Sequence, residues 1–266
     1  MDPNDARPVE TILANLRGWL PLFERFESAR LEHEDGYSWW TSAIRLPFFN
    51  GVLGVPVDED LERAIDGVLA PFDEGDVPLL WIAPLRADLT GLLEARNFRV
   101  ERIPGMAIDL PSLPDRPRPE GASIVEVHDD DDDAMHAATT IALTTNGFPA
   151  DAAPPFIAAL RRFPERAKVH TLLATVDGVP ASTGTLLEWG GVSGLYNVGT
   201  VESFRGRGLG GFVSLTALET ARAAGHRVCV LQASAMAEPI YRGLGFEVTC
   251  RFAFAVRLAQ RTAIEG

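Results

Sequence analysis

The chain has 266 residues, 46% of them apolar, with 37 acidic and 24 basic side chains and a net charge of -13. That is enough for one large or two modest hydrophobic cores. The acidic balance argues against nonspecific nucleic-acid binding, which needs a basic face, and weakly favours a cationic acceptor such as an amine.

In chain order, Ile12, Leu16, Trp19, Leu20, Phe23 and Phe26 keep a helical period through residues 9–31, bent or broken at Gly18 and Pro21. Residues 37–45 and 48–55 read as strands. Asp58-Glu59-Asp60 opens a helix to about Ala70, with its carboxylates where the helix dipole favours them. A strand at 79–83, a helix at 88–96 and strands at 99–103 and 106–110 follow. Pro111, Pro114, Pro117 and Pro119 mark residues 111–121 as a linker.

Beyond it, Ile124–Val127 is a short strand, and Asp129 to Asp133 reads as the acidic, solvated start of a helix. Helical segments flank Thr144–Pro149. Residues 169–176 and 179–188 form a hairpin around Asp177-Gly178. A strand at 192–200, a helix at 208–224, a strand at 227–231, a helix at 237–244 and strands at 246–250 and 252–258 complete the order. Cys229 and Cys250 lie in apolar runs and read as buried free thiols. The five histidines lack metal-ligand spacing, so no metal is expected. No stretch has the apolar length of a membrane span, and Met1-Asp2-Pro3-Asn4-Asp5 lacks a signal pattern, so a cytoplasmic protein without membrane partners is expected.

Chemistry concentrates at Arg205-Gly206-Arg207-Gly208-Leu209-Gly210-Gly211, between a strand and a helix. Glycines at alternate positions let main-chain amides converge on an anion at a helix start, and two arginines add positive charge. No Gly-Lys-Ser/Thr ends the loop, as a P-loop requires. Residues 206–211 do spell G-x-G-x-x-G, but Glu202–Arg205 separate strand from glycines, and the next strand ends at Gln232 rather than at an acid.

The Arg-x-x-Gly-x-Gly pattern, followed by Glu238-Pro239-Ile240-Tyr241-Arg242-Gly243-Leu244-Gly245-Phe246, resembles the acetyl-CoA site of the GNAT superfamily of N-acetyltransferases over residues 122–258. The resemblance implies an α/β fold of α+β type, with a mixed, mostly antiparallel twisted sheet flanked by helices. It implies acetyl-CoA as cosubstrate, pyrophosphate on the amides of Gly206, Arg207, Gly208, Leu209, Gly210 and Gly211 with Arg205 nearby, and pantetheine along Val198, Gly199 and Thr200. Tyr241 corresponds to the family's general acid toward sulfur. Ser234 stands where relatives often carry a cofactor-contacting Asn. Glu188, near the end of a strand, is the carboxylate base this reading names, with Glu202 and Glu238 as lesser candidates, and Asn146 with Phe148 would contact acceptor.

Sliding the sequence by 148 positions aligns Leu80 with Val228, Phe98 with Phe246, Met106 with Phe254 and Ile108 with Val256. Two modules are therefore expected, a degenerate one at 1–110 and a catalytic one at 122–266. In the first, Gly206, Gly208 and Gly210 are replaced by Asp58, Asp60 and Glu62, which repel a pyrophosphate. The implied activity is acetyl transfer to a primary amine of a small molecule or peptide, by a monomer or homodimer. A CoA-binding module without turnover and a transferase like the two-module mycothiol synthases remain open.

Overall fold

A computed structural model describes residues 7–115, 117–165 and 168–259. The elements are α1 (Arg7–Arg17), α2 (Leu20–Phe23), β1 (Arg30–Glu34), β2 (Tyr37–Thr41), β3 (Gly51–Gly54), α3 (Leu61–Glu74), β4 (Leu79–Pro84), α4 (Ala87–Glu94), β5 (Arg99–Asp109), β6 (Ala122–Glu126), α5 (Asp132–Thr145), α6 (Ala153–Arg161), β7 (Val169–Val176), β8 (Val179–Trp189), β9 (Val192–Thr200), α7 (Leu209–Ala223), β10 (Val228–Gln232), α8 (Glu238–Leu244) and β11 (Glu247–Arg257).

Several elements differ from expectation. The helical period of residues 9–31 is broken at Gly18, as expected, into α1 and α2, but Arg30–Glu34 forms a strand whose charged sequence gives no period-2 apolar signal. The strand expected from Phe48 is only Gly51–Gly54, because Phe48 takes a left-handed φ of 67°. Two expected breaks, at Pro104-Gly105 and at Arg251, are absent: β5 and β11 run through them.

Described residues form two compact units: a larger one of residues 7–19 and 104–250, and a smaller one of residues 20–103 and 251–259. Module boundaries at 111–121 do not coincide with these units. The second halves of β5 and β11 each belong with the other half of the chain. In the larger unit the strand order is β5-β10-β9-β8-β7-β6, all neighbours antiparallel except β10 with β9. In the smaller unit it is β1-β2-β3-β4-β11, antiparallel except β3 with β4.

The exchange is reciprocal. Gln232 of β10 pairs with Gly105 of β5, and Pro84 of β4 with Phe252 of β11, so the two pairings repeat at the 148-residue shift to within one residue. Each unit buries its own core beneath the sheet. In the larger unit, Met106, Leu172, Leu186, Leu195, Val213 and Leu231 pack together, with Tyr241 and Phe246 from the chain's later elements. In the smaller, Trp39, Val52, Ile65, Phe72, Trp81 and Phe98 do the same. Among the described residues no helix is long and apolar enough to cross a membrane.

Candidate active site

The larger unit contains a parallel strand pair that comes apart. β9 and β10 pair only at Ser193↔Cys229 and Gly194↔Val230. β9 then continues for six residues, Leu195 to Thr200, without a ladder to β10, which leaves main-chain donors and acceptors on that edge without a strand partner. On its other edge β9 is bulged. Tyr196 pairs with Thr185 and Gly199 with Thr183, so Asn197 and Val198 together face Gly184. Asn197 takes φ 53°, a left-handed conformation that Asn tolerates better than most residues. Gly184 is required here, since a Cβ would lie 2.7 Å from Val213 Cγ1. A bulge bends its strand, and this one sits where β9 leaves β10. Val198 turns its side chain to the core beside Gly184, leaving its main chain on the open edge.

The glycine loop follows. Gly206 and Gly208 have φ 79° and 78°, which a side chain would oppose, and Gly208 begins α7 with no side-chain cap. The first main-chain bond of α7 runs from Phe212 N–H to Gly208 O at 3.0 Å, so the amides of Leu209, Gly210 and Gly211 precede the helix's own bonding. Leu209 buries its side chain against Ala122, Val176 and Ala181, so only its main chain is available.

Gly210 and Gly211 are different. A Cβ on Gly210 would meet only Thr200 Oγ1 at 3.5 Å, and one on Gly211 only Ile240 Cγ2 at 3.9 Å, both ordinary contacts. Glycine in a helix costs up to about 1 kcal/mol relative to alanine, and nothing within the protein demands it here. Arg205 donates from Nε to Thr200 O at 3.3 Å, and Arg207 lies 5.3 Å over the Phe204 ring; both are exposed beside the loop. Arg207 and Leu209 line a cavity of about 450 Å³ with Pro119, Glu120 and Asp177.

The smaller unit closes each of these features. β3 pairs with β4 through Leu53↔Ile82 and ends one residue later. Trp81, fully buried, donates its indole N–H to Gly54 O at 2.9 Å, so the last carbonyl of β3 is already bonded within the chain. Asp60 caps α3 by accepting the Arg63 N–H at 3.1 Å. Anion-binding capacity at that helix start is already used by the chain's own carboxylate.

Tyr241, on α8, is 7% exposed and packs edge-on to Phe246 with ring centroids 5.7 Å apart. Burial raises its phenol above the ordinary value, an effect opposed by a hydrogen bond with Ser214. Ser234, just past the end of β10, is exposed and accepts the Ala237 N–H at 3.3 Å, which leads the chain into α8. Both lie on elements that follow the open end of the strand pair.

Glu188, the expected base, is bonded to two histidines. Its residue pairs with Ser193 at the closed end of the β9–β10 pair, and both oxygens are engaged: Oε1 at 2.8 Å from His170 Nε2 and Oε2 at 3.0 Å from His226 Nε2. Burial would raise its carboxyl, but the His226 and His170 hydrogen bonds and charges outweigh this and lower it, which makes it a weaker base. His226 is anchored to Ala221, seven residues along α7 from Ser214, about 10 Å. The structure therefore brings Glu188 to the far end of α7, in a string completed by Glu126 at 2.8 Å from His170 Nδ1.

Asn146 and Phe148 end α5. Asn146 donates Nδ2 to Ala142 O at 2.7 Å, so that nitrogen finishes the helix. The loop lies beside the open edge, because a Cβ on Gly199 would overlap the neighbouring Thr145 hydroxyl. Thr145 was missed in the sequence, although a glycine inside a strand signals such an approach. On β9, Tyr196 donates to Asn15 Oδ1 at 2.6 Å, and Asn15 Nδ2 donates to Trp189 O at 2.9 Å and Val192 O at 3.2 Å.

No family model and no curated protein matches the sequence. Solved structures do match in fold. The chain is similar to a GCN5-related N-acetyltransferase from Kribbella flavida, with TM-score 0.68 and 22% identity over 94% of this chain and 98% of that one. A GCN5-related N-acetyltransferase from Sphaerobacter thermophilus gives TM-score 0.60 and 20% identity over 97% and 93%. A tandem GNAT protein from the clavulanic acid biosynthesis pathway gives TM-score 0.60 and 12% identity over 97% of each chain. The chain thus has the fold of GCN5-related N-acetyltransferases.

Proposed function

We propose that the larger unit transfers an acetyl group from acetyl-CoA to a primary amine of a small molecule or peptide. The carrying observation is the uncapped start of α7, with two helix glycines that only a ligand requires, at the open end of β9 and β10. The amides from Gly206 to Gly211 bind the pyrophosphate, and the free edge of β9 at Val198–Thr200 bonds the pantetheine as an added strand. A main-chain N–H of that edge faces the thioester oxygen, where a fixed dipole stabilises developing negative charge. Tyr241, protonated at neutral pH, gives its proton to the departing sulfur. With Glu188 held between two histidines, the amine is taken up in its neutral form. The smaller unit, with the last carbonyl of β3 bonded by Trp81 and its helix capped by Asp60, binds no CoA, which fits descent from a duplicated module.

Calorimetry with CoA, followed by thiol release from acetyl-CoA across a panel of amines, tests this. One CoA per chain and amine-dependent thiol release are expected. Absence of CoA binding overturns the reading, and binding without release for every amine leaves a CoA-responsive module instead.

A further inference from the structure

The last residue of β10, Gln232, is fixed by its main chain: it pairs with Gly105 of β5, and the next residue, Ala233, donates its N–H to Pro104 O at 3.1 Å. Its side chain is not. Nε2 is buried, yet among the described residues it has no hydrogen-bond partner. A buried amide nitrogen left unbonded is costly, and native proteins seldom keep one. An apolar side chain would avoid the cost, as Val230 does two residues earlier.

Strand alternation places this side chain. Cys229, Leu231 and Ala233 pack into the core with α7, as Leu195 and Val198 of β9 do, so Val230 and Gln232 stand on the opposite face of the sheet. Gly194↔Val230 is the last pair of the parallel ladder, and two residues further along each strand come Tyr196 and Gln232. Gln232 thus stands across the open end from Tyr196. Tyr196 does not close that end. Its ring folds back over Gly194, where a Cβ would lie 2.5 Å from Cε2, and its hydroxyl proton goes to Asn15 Oδ1 at 2.6 Å. The end of α5 crosses the same face at Gly199, so the Asn146–Phe148 loop adjoins it.

We propose that Gln232 Nε2 binds a neutral carbonyl oxygen of the amine substrate, so that the favoured acceptors are amino-acid amides and the N-terminal residue of peptides. The inference rests on the acetyl-transfer reading. A donor without a partner calls for an oxygen acceptor. The side chains named on this face, Tyr196, Asn15 and Thr145, carry no charge, and an ionised carboxylate buried among them would lack a counter-charge. A neutral carbonyl fits. The core side chains of α7 lie against the other face, so the acceptor comes to the open end from the side that α7 leaves free.

The test measures kcat/KM with matched acceptors: amino-acid amides, the alkylamines that lack only the carboxamide, and the free amino acids. The parent should favour amides over alkylamines by at least about tenfold, the effect of one hydrogen bond to a buried donor, and over the free amino acids as well. In Gln232→Leu the preference over alkylamines should fall to within about twofold of parity. CoA affinity by calorimetry should stay within about twofold of the parent, and Tm should not drop, because the unbonded donor is gone. Gln232→Glu, whose ionised carboxylate repels a carbonyl oxygen, should lose the preference too. Equal use of amides and alkylamines by the parent, or an amide preference that survives both variants, overturns the assignment and leaves the transferase reading standing. So does a clear fall in the Tm of Gln232→Leu, which would show that the fold itself uses the amide. No CoA binding by the parent, or no thiol release with any amine, removes the transferase reading and the assignment with it.

Discussion

Gly210→Ala should make the protein more stable and CoA binding weaker. The added Cβ meets Thr200 Oγ1 at 3.5 Å and nothing nearer, so it introduces no clash. Replacing a helix glycine by alanine gains up to about 1 kcal/mol, and roughly half of that is expected in the first turn, where fewer main-chain bonds depend on it. For a chain of this size, half a kcal/mol raises Tm by about 1–2 °C. Gly67, exposed inside α3 with nothing within 4 Å of its Cβ position, is the control. Gly67→Ala should gain close to the full 1 kcal/mol, about 2–4 °C, with CoA affinity unchanged. In Gly210→Ala the same methyl stands between a diphosphate and the amides that would hold it, and loss of one good contact there lowers affinity at least about tenfold. Calorimetry with CoA and thermal scans on the parent and both variants decide the matter. Gly210→Ala binding CoA as tightly as the parent would refute the cradle, and a drop in its Tm would refute the claim that only a ligand requires this glycine.

Three further outcomes are expected. Tyr241→Phe should cut kcat by roughly 10²–10⁴-fold, as for loss of a general acid, and flatten the pH profile while leaving CoA affinity nearly intact; steady-state kinetics and calorimetry read both. Gly199→Ala drives a methyl into the Thr145 hydroxyl and to 2.9 Å from its Cβ and should cost about 1–3 kcal/mol, part of it recovered by adding Thr145→Ala, which removes the hydroxyl and keeps the Cβ, as urea titrations of the single and double variants will show. Because folding lowers the Glu188 carboxyl, its contribution is present above the unfolded carboxylate range near pH 4.3 and is lost as pH falls through the lower folded value. Glu188→Gln should therefore be less stable than the parent at pH 7 and converge with it in acid, whereas a constant difference from pH 7 to 3 would exclude an ionic role for the His170–Glu188–His226 string.

The glycine loop, the helix after it and the segment carrying Tyr241 were legible because each has a local cause: glycines where φ is positive, helix formers after them, and Gly245 at φ 102° closing α8. The 148-residue repeat was legible because both halves bury the same faces of their later strands. What escaped was set by partners distant in sequence. Glu188 looks like a free carboxylate until His170 and His226 arrive from β7 and from the turn before β10. The division into units was hidden because β5 and β11 read as short paired strands in their own halves, while the pairing that decides their membership is with β10 and β4.

The two units resolve similar local choices in opposite directions. In the smaller unit each is the stabilising one: Asp60 caps α3, the Trp81 indole bonds the Gly54 carbonyl, and the parallel pair stays together to within one residue of the end of the shorter strand. In the larger unit each costs stability. The start of α7 has no cap, worth about 1 kcal/mol when present; two glycines sit in its first turn; Asn197 holds a left-handed φ; and six residues of β9 lack a partner on one edge. These costs are clustered along one path, from the bulge at Asn197 to the amides of Gly210 and Gly211, and do not scatter over the unit. Random drift would not keep four destabilising features contiguous while the core beneath them stays closely packed. A ligand that bonds the free strand edge and the uncapped helix start at once accounts for all four. That requirement of an extended chain joined to a diphosphate separates the coenzyme A reading from binding of a free phosphate, which would need the helix start alone.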